Sequence, residues 1–199
     1  MKTKSAMLMN FLKKRRGVAT FSEIRDAGFQ ESLKTLRRSG EVEKAGRALY
    51  QLSKGEGLSN PDLVAVSIKA PRGVVCLISA LYFHEATDRI PHEVHLAIPR
   101  GAWANRIDQP PVHYYRFSKK AYETGIEEHT IDGRTVRVYS LAKTIADCFK
   151  FRNRIGENIG VDALKEAVSE RQISPHEIMR YAQICRVEKT MKPLLKALL

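Results

Sequence analysis

A chain of 199 residues, 43% of them apolar, can bury the core of one large domain or two small ones, and a net charge of +12 favours a polyanionic partner, nucleic acid ahead of acidic lipid. The three cysteines are odd in number and widely spaced, which argues against a disulfide framework and a zinc knuckle. We find neither a cleavable leader nor a run of the roughly 20 apolar residues that a membrane helix needs, and therefore expect a soluble cytoplasmic protein without membrane contact.

The first predicted element is an amphipathic helix over residues 4–16 that ends at Gly17. The basic residues 13–16 near its C-terminal end either complement the helix dipole or contact phosphate, and the sequence leaves both interpretations open. The apolar stripe consists of Met7, Leu8, Phe11 and Leu12.

A second, short helix is predicted from a capping box. In Thr20-Phe-Ser-Glu23 the threonine hydroxyl and the glutamate carboxylate can each accept from an unpaired amide of the first turn. Gly28 is the predicted end of this helix. Its predicted inward residues are Phe21, Ile24 and Ala27.

A third helix is predicted over residues 30–39, with Phe29, Leu33 and Leu36 on its apolar side and Gly40 at its end. At 100° per residue, a polar face lies opposite the leucines, so the charge is directed outward on one side of the helix. Opposite the apolar stripe lie Glu31, Lys34, Thr35 and Arg38, with Gln30 and Arg37 at its flanks.

Two short extended runs, 41–45 and 48–52, surround Gly46-Arg47 as in a hairpin. Three helices followed by a hairpin are the order of a winged helix-turn-helix, in which the last helix enters the major groove and the wing follows the phosphates. The charge agrees, because residues 1–54 hold 13 Lys+Arg and 5 Asp+Glu, against 21 and 17 in residues 55–199.

This order predicts double-stranded DNA as the partner. Thr35 is expected to touch a base edge, with Lys34 or Arg38 reading guanine, while the remaining basic residues position the protein on phosphates. Either a homodimer on an inverted repeat or a single copy on each half-site fits one such module per chain. The predicted DNA-binding residues are Gln30, Lys34, Thr35, Arg37, Arg38, Lys44 and Arg47.

The predicted fold class is α+β, with a winged helix-turn-helix in residues 1–54, a linker in 55–60 and a mixed α/β domain in 61–199. The second domain should contain a small, mostly antiparallel sheet and several helices. Its strands are predicted at 93–98, 112–117, 126–131 and 134–139, the last two joined by Asp132-Gly133. Its helices are predicted at 61–69, from the end of the apolar run 73–77 to Phe83, after Ser140, at 161–171, after the capping box Ser174-Pro-His-Glu177, and at 193–199.

Three segments of the sequence resemble the AbiEi antitoxins of abortive-infection toxin–antitoxin systems of type IV. They are FQESLKTLRRSGEVEKAGRALYQL, the run 74–102 and the run 123–168, which includes a Thr-x-x-Asp helix at Thr144 and Asp147. One departure is Ala48-Leu49, where the wing strand of the family is expected to carry glycine.

The resemblance implies a winged-helix repressor of its own operon in the context of phage defence. It also implies a C-terminal domain that counters a nucleotidyltransferase-like toxin without a stable complex. No cofactor, metal or catalytic residue is implied.

Two alternatives remain open: a stand-alone regulator whose second domain binds a ligand or a partner, and an enzyme carried to DNA. For the enzyme, Asp88, Glu93 and Asp108 could form a Mg²⁺-binding carboxylate cluster. His92-Glu93-Val94-His95 is one residue shorter than the zinc-protease spacing, so His95 is interpreted as a strand residue.

Two further clusters could bind RNA or a partner. Tyr114-Tyr115-Arg116 is similar to a stacking platform for single-stranded nucleic acid, although strand alternation would turn one tyrosine into the core. Lys150, Arg152 and Arg154 could extend a basic surface or form a solvated helix end.

Overall fold

The computed structural model describes residues 3–46, 48–53, 59–170 and 173–199. Its helices and strands form an α+β fold in which a small antiparallel sheet with three helices precedes a larger mixed sheet covered by helices, so the predicted fold class is confirmed. We refer to residues 3–53 as the N-terminal unit and to residues 59–199 as the C-terminal unit. Residues 54–58, which include most of the predicted linker, lie outside the described residues, and the linker stays a prediction.

The N-terminal unit has the topology of a winged helix-turn-helix. Its described elements are α1 (Lys4–Lys14), β1 (Val18–Thr20), α2 (Phe21–Asp26), α3 (Gln30–Arg38), β2 (Val42–Lys44) and β3 (Leu49–Leu52). The strands form an antiparallel sheet in the order β1-β3-β2. β1 was not predicted from the sequence; it adds a third strand beside the expected hairpin.

A small apolar core holds the three helices together. Leu8 and Leu12 of α1, Ile24 of α2, and Leu33 and Leu36 of α3 are all buried in it. Burial of a side chain of this size stabilises a fold by about 1.5–3 kcal/mol. These five residues therefore set the orientation of α3.

The predicted capping box at the start of α2 is confirmed. Glu23 N donates to Thr20 Oγ1 at 3.2 Å, and Thr20 N donates to the Glu23 carboxylate at 2.8 Å. The predicted inward face of α2 was wrong for Phe21 and Ala27, which are exposed. The helix is so short that Ile24 alone reaches the core, and the Phe21 ring lies instead on the Tyr50 ring, with 6.2 Å between centroids.

The C-terminal unit is built on a five-stranded sheet in the order β6-β5-β4-β8-β7. The pairs β6–β5 and β4–β8 are parallel, and β5–β4 and β8–β7 are antiparallel, so this mixed sheet is less antiparallel than expected. Its strands are β4 (Val74–Val75), β5 (Val94–Pro99), β6 (Val112–Phe117), β7 (Ile126–Ile131) and β8 (Arg134–Tyr139).

Helices cover this sheet, and several differ from the prediction. The short helices α6 and α8 were not predicted, and α9 and α11 start four and five residues earlier than expected, so that Pro193 lies inside α11. The helices are α4 (Pro61–Lys69), α5 (Leu77–Phe83), α6 (Lys119–Glu123), α7 (Leu141–Lys150), α8 (Arg152–Ile155), α9 (Glu157–Ser169), α10 (Pro175–Cys185) and α11 (Glu188–Leu198).

The two predicted helix caps in the C-terminal unit differ in outcome. Ser140 caps α7 through its side chain, as predicted. Ser174 is the N-cap residue of α10, but within the described part of the chain its side chain makes no capping hydrogen bond, so the predicted capping box there was wrong.

The two faces of the sheet bury different layers, because alternate residues of a strand point to opposite sides. Val74, Tyr115 and Tyr139 pack with α7, α9, α10 and α11. Val75 and Val136 face the other way, toward α4. Val18 and Leu49 of the N-terminal unit belong to this second layer, so the two units share one apolar cluster.

Polar contacts at the β7–β8 turn reinforce this junction. Arg134 donates through one nitrogen to the carbonyl oxygens of Arg15 and Val18, each at 3.2 Å, and Arg16 donates to the Gly133 oxygen at 2.5 Å. The turn has the predicted Asp132-Gly133 pair, with φ of 47° and 72°, values that glycine and aspartate tolerate better than most residues. The end of α1 is thereby tied to the sheet of the C-terminal unit. In the residues described, no helix has the length and apolarity needed to cross a membrane.

Candidate DNA-binding surface

Helix α3 presents two chemically different sides. Leu33 and Leu36 are each 3% exposed, and Ser32 beside them is also buried. Lys34, Thr35, Arg37 and Arg38 are exposed on the outer side. The predicted amphipathic division of this helix is thus confirmed, and the outer side of α3 is not covered by the C-terminal unit.

Two basic side chains of the outer face, those of Lys34 and Arg38, are not held firmly by contacts within the described residues. Lys34 Nζ lies 2.8 Å from Glu31 Oε1 in a pair whose side chains are 65% and 84% exposed. Exposed ion pairs of this kind contribute only about 0–1 kcal/mol, so Lys34 can exchange Glu31 for a phosphate or a base at little cost. Arg38 has no hydrogen-bond or ion-pair partner among the residues that the structure describes.

The hydroxyl of Thr35 uses its donor within the helix and keeps its acceptor capacity. Thr35 Oγ1 donates to the Glu31 carbonyl oxygen at 3.2 Å, which leaves its lone pairs free to accept. In the major groove, the free amino donors are those of cytosine N4 and adenine N6, and the threonine methyl group can contact the thymine methyl. Thr35 is therefore suited to base edges rather than to phosphate oxygens, which only accept.

The wing continues the surface that begins on α3. The Arg37 guanidinium carbon lies 5.7 Å from the centre of the Tyr50 ring on β3, within the range of a cation–π contact. Lys44, at the end of β2, is exposed and pairs in register with Tyr50. Gln30, in the first turn of α3, is half-buried. Arg47, the remaining predicted contact, lies outside the described residues.

The four basic residues at the end of α1 form two pairs with different surroundings. Arg15 lies over the Phe11 ring at 3.8 Å and pairs with Glu23 at 3.6 Å, while Arg16 contacts Gly133. These two arginines therefore serve the structure. Lys13 and Lys14 are exposed in the last turn of the helix, where they also complement its dipole.

Part of the wing is held by the C-terminal unit. Leu49 is fully buried in the shared cluster, and a β-carbon placed on Gly46 would lie 3.0 Å from Pro61 Cβ. This accounts for the departure at Ala48-Leu49, because a leucine at the start of β3 fills the junction between the units. The wing is thus packed against the start of α4 close to its turn.

The predicted carboxylate and histidine clusters do not form a metal-binding group among the described residues. No group of three or more potential ligands there could hold a metal ion. Asp108 pairs with Arg106, and Glu93 lies near His113 instead. His92 is exposed and His95 is buried, in agreement with the interpretation of His95 as a strand residue.

Strand alternation separates the two neighbouring tyrosines, as predicted. Tyr115 is 3% exposed and packs in the core, and Tyr114 lies on the other face, where its hydroxyl donates to the Asn105 oxygen at 2.7 Å. Arg152, of the second basic cluster, donates to the Phe149 oxygen and lies near Glu157, as expected of a helix end. Neither observation assigns a ligand by itself.

Two buried polar groups were not predicted. His95 is 6% exposed, its Nδ1 atom has no partner among the described residues, and desolvation lowers the pKa of its imidazole to about 4. Lys143 and Asp147 of α7 are fully buried beside each other. In the sequence, the spacing of four residues on a helix indicated that the two side chains could pair. An exposed pair would have the same spacing, so their burial could not be predicted.

One solved structure has a similar fold over nearly all of this chain. Its fold is similar to the crystal structure of the protein RV2827C from Mycobacterium tuberculosis, with a TM-score of 0.56 and 16% sequence identity over 98% of this chain and 82% of that chain. At this identity the likeness concerns the fold alone. No protein-family model and no curated protein matches the sequence.

Proposed function

We propose that the protein is a sequence-specific, DNA-binding transcriptional repressor. The observation that carries this proposal is the two-sided α3, in which Leu33 and Leu36 are buried while Lys34, Thr35 and Arg38 face solvent on a winged helix-turn-helix. A helix fixed in this manner can enter a major groove about 12 Å wide without further rearrangement. Arg37, Lys44, and by its place in the sequence Arg47, would then contact phosphates beside it.

We further propose that the repressor is the antitoxin of a type IV toxin–antitoxin system. The support is the resemblance of residues 29–52, 74–102 and 123–168 to the AbiEi antitoxins. In this proposal the N-terminal unit represses its own operon, and the C-terminal unit counters a nucleotidyltransferase-like toxin without forming a stable complex with it.

Binding to the DNA upstream of its own gene tests the first part. In a gel-shift titration, the double variant Lys34→Ala/Arg38→Ala should lose roughly 2–4 kcal/mol of binding, about 30- to 1,000-fold in Kd. Lys192→Ala/Lys196→Ala is the matched control, because it removes two exposed positive charges at the same spacing from α11. Equal affinity of the two double variants would refute the assignment of α3 as the recognition helix.

Growth of cells that produce the protein of the adjacent gene tests the second part. Co-production of the full chain should restore growth, and the Lys34→Ala/Arg38→Ala variant, expressed from an unrelated promoter, should restore it equally. If the adjacent product does not arrest growth, the stand-alone regulator becomes the better description. If only the wild type rescues, neutralisation acts through DNA and not through the C-terminal unit.

A further inference from the structure

Trp103 is the single tryptophan of the chain and is 91% exposed. Tryptophan is usually well buried, and it is enriched where a protein meets a partner. An exposed indole leaves a large apolar surface in contact with water and contributes little of it to the core. A ligand that covers it would recover that free energy.

The loop that carries Trp103 is held in place on both sides of it. Arg116 donates to the Ala102 oxygen at 2.7 Å, and Asn105 donates from its amide to the Lys69 oxygen at 2.5 Å. Tyr114 binds the Asn105 oxygen from the neighbouring strand. The exposure of Trp103 is thus a property of an anchored loop rather than of a free one.

A cavity of about 450 Å³ opens next to the indole. Such a volume lies in the range of small-ligand pockets. Its walls are mostly apolar, and Arg72 is the charged residue among those that line it. The pocket lies between the segment 70–73, the end of β5 and the loop, and Trp103, Tyr114 and Pro99 form its apolar walls.

The surroundings of the cavity are strongly basic. The chain segments 69–73 and 99–120, which contain most of the residues that line the cavity, hold seven Lys or Arg and one acidic residue, Asp108. Asp108 is paired with Arg106, and the Arg72 side chain has no partner in the described residues. Arg116 lies on the same side of β6 as Tyr114, at the edge of the sheet.

We infer that this cavity is a second nucleic-acid site, which takes a single strand by stacking a base on Trp103 while Arg72 and Arg116 contact its phosphates. A base in a duplex is already stacked on both faces, so an open indole selects single strands. The unpaired Arg72 guanidinium and the remaining donors of Arg116 favour a polyanion. The apolar walls favour a base over the carboxylates of an acidic peptide. This site is separate from α3 and does not depend on the function proposed for it.

Fluorescence of the full-length protein reports on the site directly, because Trp103 is its single tryptophan. Titration with a ten-residue oligouridine or oligodeoxyuridine should quench the emission, and because the two differ in the sugar alone, the tighter of them assigns ribose or deoxyribose. A duplex of the same sequence and a polyglutamate peptide of the same charge should quench far less. Equal quenching by polyglutamate would replace the proposal with an acidic protein partner, and no quenching by either oligonucleotide would overturn it.

Variants separate stacking from charge. With a fluorescein-labelled oligonucleotide, Trp103→Ala should weaken binding about 10- to 100-fold. Arg72→Ala should reduce the slope of log K against log salt by about 0.7. Unchanged affinity of Trp103→Ala, with an unchanged circular dichroism spectrum, would refute the site. Lys34→Ala/Arg38→Ala should bind the single strand as the wild type does, and Trp103→Ala should still bind the operator duplex, so each proposal fails by its own measurement.

Discussion

Lys143 and Asp147 form an ion pair from which water is excluded, with Nζ 2.5 Å from Oδ2 and neither side chain exposed. Nζ also lies 4.1 Å from the centre of the Tyr139 ring, and Cys185 on α10 donates to the second carboxylate oxygen at 3.1 Å. The pair therefore joins α7 to β8 and α10. Burial raises the pKa of Asp147, and the Lys143 ammonium opposes that rise.

Removing one member of this pair should be far more costly than removing both. Lys143→Met leaves a buried carboxylate without its cation, and we expect a loss of about 3–5 kcal/mol in the free energy of unfolding. The double variant Lys143→Met/Asp147→Leu should recover much of this loss. Urea unfolding measures both, with the exposed Lys165→Met as control. If the double variant is less stable than the single one, the unpaired carboxylate of Asp147 is not the cause of the deficit.

The same variant should respond to acid. Without Lys143 the pKa of Asp147 rises further, so the folded state binds more protons than the unfolded state at mildly acidic pH. The stability of Lys143→Met then increases as the pH falls from the folded-state pKa of Asp147 toward the unfolded carboxylate pKa near about 3.9, and its deficit relative to the wild type should shrink over that range. A deficit that is independent of pH in paired unfolding curves would contradict this.

His95 should make the wild type sensitive to acid. Burial lowers the pKa of its imidazole to about 4. An unfolded histidine titrates near about 6.5. Between these values the unfolded state binds more protons, so stability rises with pH across this window, by up to roughly 3 kcal/mol. The variant His95→Gln should flatten the dependence of unfolding free energy on pH, and the exposed His92→Gln should not. The same slope in both variants would exclude His95 as its source.

Arg134 should stabilise the junction between the two units. Arg134→Met retains the apolar stem but removes the donors to the Arg15 and Val18 oxygens. Hydrogen bonds from a charged donor contribute about 1.5–3 kcal/mol. We expect a loss of that size, with faster hydrogen exchange of amides at the end of α1 and in β1. Arg89→Met, at an exposed arginine, is the control, and exchange equal to the control would show that the contact does not hold the units together.

Within the proposed DNA complex, substitutions of Thr35 and Lys44 should have different effects on binding to operator and to random DNA. Thr35→Val removes the accepting oxygen at constant shape and should cost roughly 1–3 kcal/mol on the operator with little effect on random DNA. Lys44→Ala should weaken both DNAs alike and reduce the salt slope by about 0.9. Gel shifts on the operator and on a scrambled duplex measure both effects. Loss of discrimination in Lys44→Ala alone would reverse the two assignments.

Local patterns predicted the elements that local forces determine. The spacing of Leu33 and Leu36, the reciprocal cap of Thr20 and Glu23, and the Asp132-Gly133 turn each act within a few residues, so the sequence contains their complete explanation. For the same reason the outward set on α3 could be named before the fold was known. The predicted start of the last helix at Pro193 was wrong, because proline is common in a first helical turn but this one lies within α11.

Contacts between distant segments account for what the sequence did not predict. β1 has three residues and exists because Val18 to Thr20 pair with β3, about 30 positions later. The burial of His95 depends on the strand and helix packed around it, which its own spacing does not disclose. Trp103 was not singled out, since exposure of a tryptophan can be seen only in the folded chain.

Leu49 belongs to the wing by its backbone and to the C-terminal unit by its side chain. A fragment cut at residue 54 would present Leu49 and Val18 to water, and a fragment starting at residue 60 would lose the apolar contacts that these two residues supply to the shared cluster. Each fragment would thereby have an exposed apolar patch, prone to association, that is buried in the whole protein. Transfer of the N-terminal unit to another protein therefore requires hydrophilic residues at those two positions, or inclusion of the β7–β8 hairpin in the transferred piece.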